Sequence, residues 1–494
     1  MSLISVNNLT FGYDGSLNNI FENVSFNIDT DWKLGLIGRN GKGKTTFLKL
    51  LQGKYEYRGT ILKNVDVDYF PFEVTNKNRM SIEIVNEIAP NVEDWEIIKE
   101  LNLLNSDTEI LYRNFNLLSG GEQIKILLIS LFLKGNNFLL IDEPTNHLDI
   151  ETRNNLVDYL EKKKGFILVS HDRNFLDKVV DHIISINNTD IEIQQGNFSS
   201  WKENKDRQDN FEAKQNERLQ KDIKKLEIAS KNTAKWSDEV EKSKYKTKNS
   251  ETTIDRGYIG HKSAKMMKKS KVMNRRIEKA IDEKTNLLKN VDRNDSLKII
   301  PIESRKNPLI LINNLQIKYN EKIIFSPVSF EVENGDRIAI VGKNGIGKSS
   351  ILKLIIGQEI QYNGKFKIAN DLKISYVSQN TDYLKGNLKT FALDNKIDES
   401  IFKAMLFKMG FSKLDFDTKI EEISEGQKKK VLIAKSMSEQ ANIYIWDEPL
   451  NYIDILTREQ IEDSILKYKP TLIFVEHDTT FVEKVATKVI TIEK

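Results

Sequence analysis

The sequence of 494 residues contains no cysteine, so it can form neither a disulfide bond nor a thiolate metal site. It also lacks an apolar run of about 18 residues, which argues against a membrane-spanning helix. The polar start MSLISVNNLTFGYDG does not resemble a secretory signal peptide. These absences predict a cytoplasmic protein without membrane contact. A hydrophobic content of 39% still permits large buried cores, and the length predicts two or three domains.

The net charge of +3 conceals an uneven distribution along the chain. Residues 201–295 contain 26 lysines and arginines against 17 aspartates and glutamates, whereas the rest of the chain holds 49 against 55. The densest stretch, KSAKMMKKSKVMNRRIEK at 262–279, has eight basic residues and one acid. The middle of the chain is therefore the part that could contact a polyanion, although a solvated face of a coiled coil is an open alternative.

A repeat occurs in which an apolar, strand-like run is followed by G-x-x-x-x-G-K-[ST] and then by a helical apolar pattern. The two copies read LGLIGRNGKGKTTFLKLL and IAIVGKNGIGKSSILKLI. In such P-loops the glycines let backbone N–H groups wrap phosphates, and the lysine meets the β and γ charges. The residues predicted to bind nucleotide here are Gly38, Asn40, Gly41, Gly43, Lys44, Thr45, Thr46, Gly342, Asn344, Gly345, Gly347, Lys348, Ser349 and Ser350.

Downstream of each P-loop, an apolar strand pattern ends in two acids, as FLLIDEPTNHLD and IYIWDEPLNYID. Asp142 and Asp447 are predicted to help hold Mg²⁺, together with the P-loop hydroxyls of Thr45 and Ser349. Glu143 and Glu448 are placed to polarise an attacking water as catalytic residues. A strand-end acid that caps a helix is the structural alternative.

Each copy then has a histidine at the end of another apolar run, in ILVSHD and IFVEHD. His171 and His477 are paired by the repeat, which favours a catalytic contact with the γ-phosphate over a core histidine.

Between the P-loop and the acidic strand, each copy has a serine motif, LLSGGEQIKILL and EISEGQKKKVLI. A serine before glycine at the start of an apolar helix predicts an N-cap with exposed N–H groups, which suits an anion. The residues predicted to contact nucleotide in these motifs are Ser119, Gly120, Gly121, Ser424 and Gly426.

With these motifs the chain resembles a twin-cassette ATPase of the ABC superfamily, over about four fifths of its length. The resemblance implies an α/β fold with two tandem P-loop domains, ATP and Mg²⁺ as cofactors, and a monomer whose cassettes form an intramolecular dimer. It also implies one composite site with Lys44, Glu143 and Ser424, and another with Lys348, Glu448 and Ser119. Tyr13 and Tyr319 match the family's adenine-stacking aromatics, although each could be an ordinary strand tyrosine.

The copies differ at two positions, and both differences fall on the Lys44 site. The family's glutamine that contacts Mg²⁺ and water is Gln379 in the second copy, whereas the first copy has Phe72 there. Glu425 replaces a glycine in the second serine motif and would place a carboxylate near phosphates. We therefore expect the Lys44 site to hydrolyse ATP more slowly than the Lys348 site.

The sequence predicts domains at 1–199 and 306–494, joined by a linker at 200–305 that is longer than an ordinary loop. Apolar residues at helical spacing predict two long helices packed as an antiparallel hairpin, with a tip at about 240–262. The tip gathers apolar, aromatic and basic side chains that could pack on each other or meet a partner: Trp236, Tyr245, Ile254, Tyr258, Ile259, Lys262, Lys265, Lys268 and Lys269.

Twin cassettes joined by a long basic hairpin resemble the ABC-F translation factors, and the WDEPLNY variant with the extended tip resembles their antibiotic-resistance, ribosome-protection type. That resemblance implies binding at the ribosomal exit site, contacts with large-subunit rRNA and P-site tRNA, and displacement of lincosamides, pleuromutilins and streptogramin A compounds. The alternatives are a housekeeping ABC-F factor of the elongation cycle and the ATPase subunit of a transporter.

Overall fold

The computed structural model describes residues 2–13, 19–135, 137–145, 148–187, 190–243, 296–319 and 322–493, together with ten positions between 265 and 280. The chain divides into two compact units. One unit consists of Met1–Trp201 and Asn294–Lys494 and contains both cassettes, and the other consists of Lys202–Arg293.

The first cassette has a small antiparallel sheet and a larger, mainly parallel one. The antiparallel sheet has the order β2-β1-β4 and the parallel sheet the order β5-β6-β7-β3-β8-β9, with only β9 antiparallel to its neighbour. Apolar runs such as FILV form strands buried on both faces, as parallel sheets covered by helices require. The strands are β1 (Leu3–Phe11), β2 (Phe21–Asp29), β3 (Lys33–Ile37), β4 (Arg58–Leu62), β5 (Asp66–Phe70), β6 (Asn137–Asp142), β7 (Phe166–Val169), β8 (His182–Asn187) and β9 (Asp190–Gln195).

Helices cover this parallel sheet and build the core of the cassette. The helices are α1 (Lys44–Leu51), α2 (Ser81–Ile88), α3 (Asp94–Leu103), α4 (Gly120–Leu133), α5 (Ile150–Leu160) and α6 (Arg173–Val179), and α7 (Phe198–Ser243) follows them. Phe198 and Trp201 are buried in the core of the first cassette, so α7 is anchored there at its N-terminal end.

The second cassette repeats this architecture with a five-stranded parallel sheet, in the order β16-β18-β19-β14-β20, and an antiparallel sheet around β11. Its strands are β10 (Ile300–Pro301), β11 (Ile310–Tyr319), β12 (Lys322–Ile323), β13 (Val328–Val332), β14 (Arg337–Val341), β15 (Tyr362–Ile368), β16 (Ile374–Val377), β17 (Gln440–Ala441), β18 (Ile443–Asp447), β19 (Leu472–Val475) and β20 (Lys488–Thr491). Its helices are α8 (Lys348–Ile355), α9 (Leu388–Asp394), α10 (Glu399–Lys408), α11 (Glu425–Ser438), α12 (Ile455–Tyr468) and α13 (Thr479–Val485). The predicted pair of α/β cassettes is confirmed.

Residues 296–302 lie inside the range that the sequence assigned to the linker, yet they pack on the second cassette. Leu297 and Ile299 are buried in its core, and β10 pairs in parallel with β17. Ser464 Oγ donates a hydrogen bond to the Leu297 carbonyl oxygen at 2.8 Å. The hydrophobic run LKII therefore serves as an additional edge of the cassette.

The unit Lys202–Arg293 begins within α7, which has 46 residues and would be about 70 Å long. The described positions of residues 265–280 are also helical. Among the apolar positions that predicted a packed seam, Ile277 is buried, whereas Phe211 and Met273 are exposed. No described helix combines the length and the apolar character that crossing a membrane requires.

Most residues predicted for the tip lie outside the described residues. They are Tyr245, Ile254, Tyr258, Ile259, Lys262 and Lys269, and the side chain of Trp236. Lys265 and Lys268 are helical and exposed.

A buried ion pair joins the two cassettes. Arg173, at the start of α6, is 5% exposed and donates from Nη1 to Glu462 Oε2 on α12 at 3.2 Å. Glu462 is 3% exposed and lies 3.4 Å from Lys484 Nζ. At the equivalent positions of the repeat stand the uncharged Thr479 and Val157, which line one small cavity together with charged residues such as Arg153 and Asp172. The Arg173–Glu462 pair is therefore replaced by two uncharged side chains at the equivalent positions of the repeat.

We expect Glu462→Val to lower the free energy of unfolding by about 3 kcal/mol, because it removes the carboxylate paired with Arg173 and leaves the buried guanidinium with the more distant Glu459, at 3.8 Å, and the charge of Asp478. The double variant Arg173→Thr with Glu462→Val copies the neutral pair of Thr479 and Val157 and should lose less stability than the single variant. Urea unfolding followed by circular dichroism measures both. A double variant that is less stable than Glu462→Val alone would contradict this account.

Candidate active sites

The two P-loops have the same local geometry. Lys44 Nζ donates to the Gly38 carbonyl oxygen at 2.7 Å, and Lys348 Nζ donates to the Gly342 carbonyl oxygen at 2.7 Å. Gly43 precedes α1 with a φ of 94°, and a Cβ there would lie 2.6 Å from Ile20 Cγ2. Only glycine fits this turn, which directs the free N–H groups of the helix start into the loop. Burial lowers the pKa of both lysines.

A hydroxyl and a carboxylate meet at each predicted magnesium position. Thr45 Oγ1 donates to Asp142 Oδ2 at 3.3 Å, and Ser349 Oγ donates to Asp447 Oδ1 at 3.0 Å. Burial raises the pKa of Asp142, and it raises that of Asp447 to about 6. A nearby cation would relieve this cost of burying a carboxylate. Mg²⁺ bound to phosphates takes such oxygen ligands in small number, so the residues fit the ion.

Glu448 follows β18 directly and is held by several side chains. Its backbone has a φ of 46°, in the left-handed region that non-glycine residues rarely adopt. Oε2 accepts hydrogen bonds from Gln379 Nε2 at 2.8 Å and from Asn451 Nδ2 at 2.7 Å, and Oε1 lies 3.6 Å from His477 Nε2. Burial opposes ionisation, but His477 and Gln379 outweigh it and lower the pKa of Glu448 to about 2.

Glu143 has the same backbone conformation, with a φ of 52°, but fewer partners among the described residues. Its Oε1 lies 3.3 Å from His171 Nε2 without a hydrogen bond. Burial, together with the charge of Asp142, raises the pKa of Glu143 to about 8. Burial and the charge of Lys44 lower the pKa of His171 well below its usual value, so this histidine is neutral. Residues 146–147, which follow Glu143 closely, lie outside the described residues.

The residue two positions after the end of β5 or β16 explains part of this contrast. Phe72 is 37% exposed and, as a hydrocarbon ring, offers no ligand or donor to Glu143. Tyr69 donates instead to Asp142 Oδ2 at 2.7 Å, a contact that the sequence analysis missed. The first cassette therefore has a tyrosine that donates to Asp142, whereas the second has a glutamine that donates to Glu448.

Both serine motifs cap their helices as predicted. Ser119 Oγ accepts from the Glu122 N–H at 3.3 Å, and Ser424 Oγ accepts from the Gln427 N–H at 3.3 Å. Each forms a reciprocal capping box with the third residue of its helix.

Glu425 does not present a free carboxylate. Oε1 lies 2.8 Å from Lys428 Nζ on the next turn of α11, and Oε2 accepts a hydrogen bond from Thr381 Oγ1. These partners lower the pKa of Glu425 against the opposing effect of burial. The repulsion of phosphate that the sequence suggested is therefore offset within the second cassette.

The first P-loop contacts the second cassette directly. Asn40 Nδ2 donates to the Tyr452 carbonyl oxygen at 2.6 Å, and the Asn40 N–H donates to Asp454 Oδ2 at 3.4 Å. A Cβ on Gly426 would lie 2.6 Å from Asn40 Nδ2, so only glycine permits this approach. The structure thus brings the Lys44 loop next to the Ser424 motif.

The second P-loop opens into a pocket of about 340 Å³. Its lining residues are Asn344, Gly345, Gly347, Lys348, Ser349, Ser350, Gln379 and Glu448. Towards the first cassette, Lys343 Nζ lies 2.7 Å from Glu151 Oε2 at the surface. The nearest atoms to a Cβ on Gly121 belong to Leu148 and Thr152 of its own cassette, so the structure does not bring the Ser119 motif onto the Lys348 loop in the way that Gly426 meets Asn40.

The two predicted adenine-stacking tyrosines lie beside the P-loop helices. Tyr13 Oη is 2.8 Å from Thr46 Oγ1, and Tyr319 Oη is 3.2 Å from Ser350 Oγ. The rings are 45% and 50% exposed, and a cavity of about 460 Å³ adjoins Tyr319. An exposed ring fixed through its hydroxyl is available for stacking, and this role stays a prediction.

Comparison with known proteins gives the family. A family model described as ABC transporter matches residues 21–146 and 325–451, which together make up half of the chain. The chain belongs to the ABC ATPase family. ATP-binding protein Uup from Buchnera aphidicola (strain APS) is 31% identical over 513 residues, covering 99% of this chain and 80% of Uup.

Further relatives show the subgroup. Ribosome protection protein VmlR from Bacillus subtilis is 27% identical over 94% of this chain and 82% of its own length, and ABC transporter F family member 2 from Arabidopsis thaliana is 26% identical over 99% and 76%. The chain is an ABC-F protein with two tandem cassettes. The archaeal ribosome recycling factor aABCE1, solved with stalk protein aP1, has the same fold, with a TM-score of 0.61 and 21% identity over 99% of this chain and 87% of that one.

Several residues at or beside the contact between the two cassettes were not singled out from the sequence. Lys430 Nζ donates to Asp454 Oδ2 at 2.6 Å, and Arg153 Nη1 donates to the His477 carbonyl oxygen at 3.0 Å. The signal that could have found them is the repeat itself, since Asp149 and Asp454, and likewise Arg153 and Arg458, stand at equivalent positions.

We expect the two catalytic glutamates to contribute unequally to turnover. Glu448→Gln should lower steady-state ATP hydrolysis by about 100-fold, the usual contribution of a general base, because Gln379 and Asn451 orient this carboxylate. Glu143→Gln should leave most of the turnover intact. A colorimetric phosphate-release assay measures both, with the double variant as the baseline. Equal residual turnover of the two single variants would count against unequal sites.

Proposed function

We propose that this ABC-F protein binds the ribosome in an ATP-dependent manner and protects it from antibiotics of the peptidyl transferase centre: lincosamides, pleuromutilins and streptogramin A compounds. The observation that carries the proposal is the combination of two ABC cassettes with a basic helical connector whose first helix has 46 residues. VmlR, which is named a ribosome protection protein, aligns over 94% of this chain, connector included.

ATP and Mg²⁺ are the proposed cofactors at two composite sites. Lys44 and Lys348 would meet the β- and γ-phosphates, and the serine of the opposite cassette would close each site. Thr45 with Asp142, and Ser349 with Asp447 and Gln379, would hold Mg²⁺. Bound there, the ion would neutralise charge on the phosphate oxygens.

At the Lys348 site the side chains are arranged for hydrolysis. Gln379 and Asn451 hold one oxygen of the Glu448 carboxylate, which leaves the other, 3.6 Å from His477, to accept a proton from water. A glutamate with a lowered pKa is ionised at neutral pH, as a proton acceptor must be.

ATP binding would act through contacts between the cassettes. Asn40 lies four residues before Lys44 and already meets Tyr452 and Asp454 of the second cassette. A nucleotide held by the P-loop of one cassette and the serine motif of the other would add attraction across the same interface and favour the closed state. ATP can shift the equilibrium only by its preference for that state, and hydrolysis then releases it.

The linker, proposed at residues 200–305, is the part suited to RNA. Residues 201–295, with 26 basic residues against 17 acids, would attract the phosphates of large-subunit rRNA and of P-site tRNA, while the cassettes bind at the exit site. Lys265 and Lys268 are exposed on a helix and available for such contacts. The apolar and aromatic residues of the tip would reach the drug site. The protein would then be ribosome-associated in the cytoplasm, with one chain forming the complete pair of cassettes.

A second candidate is a housekeeping ABC-F factor of the elongation cycle. Uup is more similar to this chain than VmlR, at 31% against 27% identity, and its name carries no protective role. Both candidates predict ribosome binding, and only drug protection separates them.

The double variant Glu143→Gln with Glu448→Gln is expected to remain bound to ribosomes in the presence of ATP, because binding without hydrolysis holds the closed state. Co-sedimentation through a sucrose cushion measures the bound fraction. Binding should weaken steeply as salt rises, since lysines and arginines of the linker release counterions from RNA.

The control for this experiment is Lys44→Met with Lys348→Met, which removes the charge that meets the phosphates and should not sediment with ribosomes. If the glutamine variant stays in the supernatant with ATP at every salt concentration, ribosome binding is refuted.

Expression in a susceptible bacterial host should raise the inhibitory concentration of at least one of the three drug classes several-fold, whereas drugs that act elsewhere on the ribosome serve as controls. Tyr258→Ala in the tip should remove the protection while ribosome co-sedimentation of the trapped variant persists, because this change spares the cassettes. Ribosome binding without protection against any class would favour the elongation factor.

A further inference from the structure

A lysine is buried beside the second active site, on the helix that starts with the serine motif. Lys429, on α11, is 2% exposed. Its Nζ donates to the Ser378 carbonyl oxygen at 2.8 Å and to the Glu448 carbonyl oxygen at 3.2 Å. Burying an ammonium group is unfavourable unless partners compensate it, so the position needs an explanation.

The two carbonyls belong to the segments that build the catalytic contact. Ser378 directly precedes Gln379, whose amide donates to the Glu448 carboxylate at 2.8 Å. Glu448 has the left-handed φ of 46°, which surrounding contacts must hold in place. A single ammonium group therefore fixes the backbone on both sides of the Gln379–Glu448 hydrogen bond.

Buried carboxylates keep this lysine charged. Burial lowers the pKa of Lys429 to about 8, and Glu476, Asp447 and Glu448 act in the opposite direction. Glu476 is 4% exposed and is itself held by the N–H groups of Leu450 at 2.7 Å and His477 at 3.0 Å. The same carboxylate thus balances Lys429 and positions the backbone of the catalytic histidine.

The first cassette has neither charge. Ile124 stands at the position of Lys429, and Ser170 stands at the position of Glu476. Ser170 Oγ lies 3.1 Å from Thr145 Oγ1, so the first cassette uses a neutral arrangement here. The cassette with the buried lysine is also the one whose catalytic glutamate is held by a glutamine.

We infer that Lys429 is a positioning residue for ATP hydrolysis at the Lys348 site, where it fixes Gln379 and Glu448 relative to each other through their backbones. The inference rests on the proposed hydrolysis at that site. Lys429 is not among the residues that line the Lys348 pocket, so its removal should reduce the rate of the chemical step and leave ATP affinity nearly unchanged.

The test uses the full chain carrying Glu143→Gln, so that turnover reports on the Lys348 site. Lys429→Ile, which introduces the residue of the first cassette, should lower kcat at least 10-fold and change KM for ATP less than threefold. Lys435→Ile is the matched control, because Lys435 lies on the same helix, pairs with Glu439 at 2.9 Å, and is not part of the site. It should keep the parent kcat.

A second variant separates positioning from charge balance and folding. Lys429→Ile with Glu476→Ser recreates the neutral arrangement of the first cassette, so its melting temperature should be close to that of the parent while kcat remains low. If this double variant regains the parent kcat, or if Lys429→Ile has a normal kcat, the inference is overturned. If Lys429→Ile alone does not fold, the kcat of the double variant tests the inference in the same way.

A parent without any ATP turnover would refute the proposed hydrolysis at the Lys348 site, and the inference with it.

Discussion

The parallel pairing of neighbouring strands is the constraint on which both active sites depend. In the first cassette β6, β7 and β3 are adjacent and parallel, so their carboxyl ends meet at one edge of the sheet. The P-loop follows β3, Glu143 follows β6, and His171 lies two residues after β7. Backbone hydrogen bonding alone therefore collects groups from segments more than a hundred residues apart. The second cassette does the same with β18, β19 and β14.

The two cassettes share this framework but differ in which charged side chains they bury. The second cassette buries Lys429, Lys430, Asp454, Arg458 and Glu476, of which Lys429 contacts the Glu448 backbone, whereas the first places Ile124 and Ser170 at two of the equivalent positions. Such groups contribute little net stability, because the attraction between them only repays their desolvation. These buried charged groups instead fix the local geometry, since each carbonyl and carboxylate oxygen must accept a hydrogen bond from a particular donor. A cassette built in this way tolerates few arrangements of its catalytic loop.

The sequence was sufficient for the parts of the site that are local. P-loops, strand-end acids and capping serines are fixed by short spacings, and all of them lie where the motifs predicted. The individual contacts between cassettes, such as that of Asn40 with Tyr452, 412 residues apart, do not follow from spacing along the chain. The resemblance implied only that the Lys44 loop meets the Ser424 motif. The partners of the Glu425 carboxylate, Lys428 and Thr381, were not evident from the sequence, because they come together only when the start of the helix is folded. Residues 296–302 read as linker because two short strands that pair across 140 residues leave no periodic pattern.

A duplicated chain also allows two sites to diverge in a way that identical subunits cannot. The resemblance implies that each composite site takes its P-loop from one cassette and its serine motif from the other, and the structure shows this approach for the Lys44 loop and the Ser424 motif. Gly426 faces Asn40 of the Lys44 loop, while Lys429, one turn further along the same helix, donates to the Glu448 carbonyl oxygen. One helix, α11, thus borders the Lys44 loop with its start and contacts the Glu448 backbone with its buried face. A shift of this helix would reach both sites at once, which gives the pair of cassettes a physical route for coupling the state of one nucleotide to the chemistry of the other.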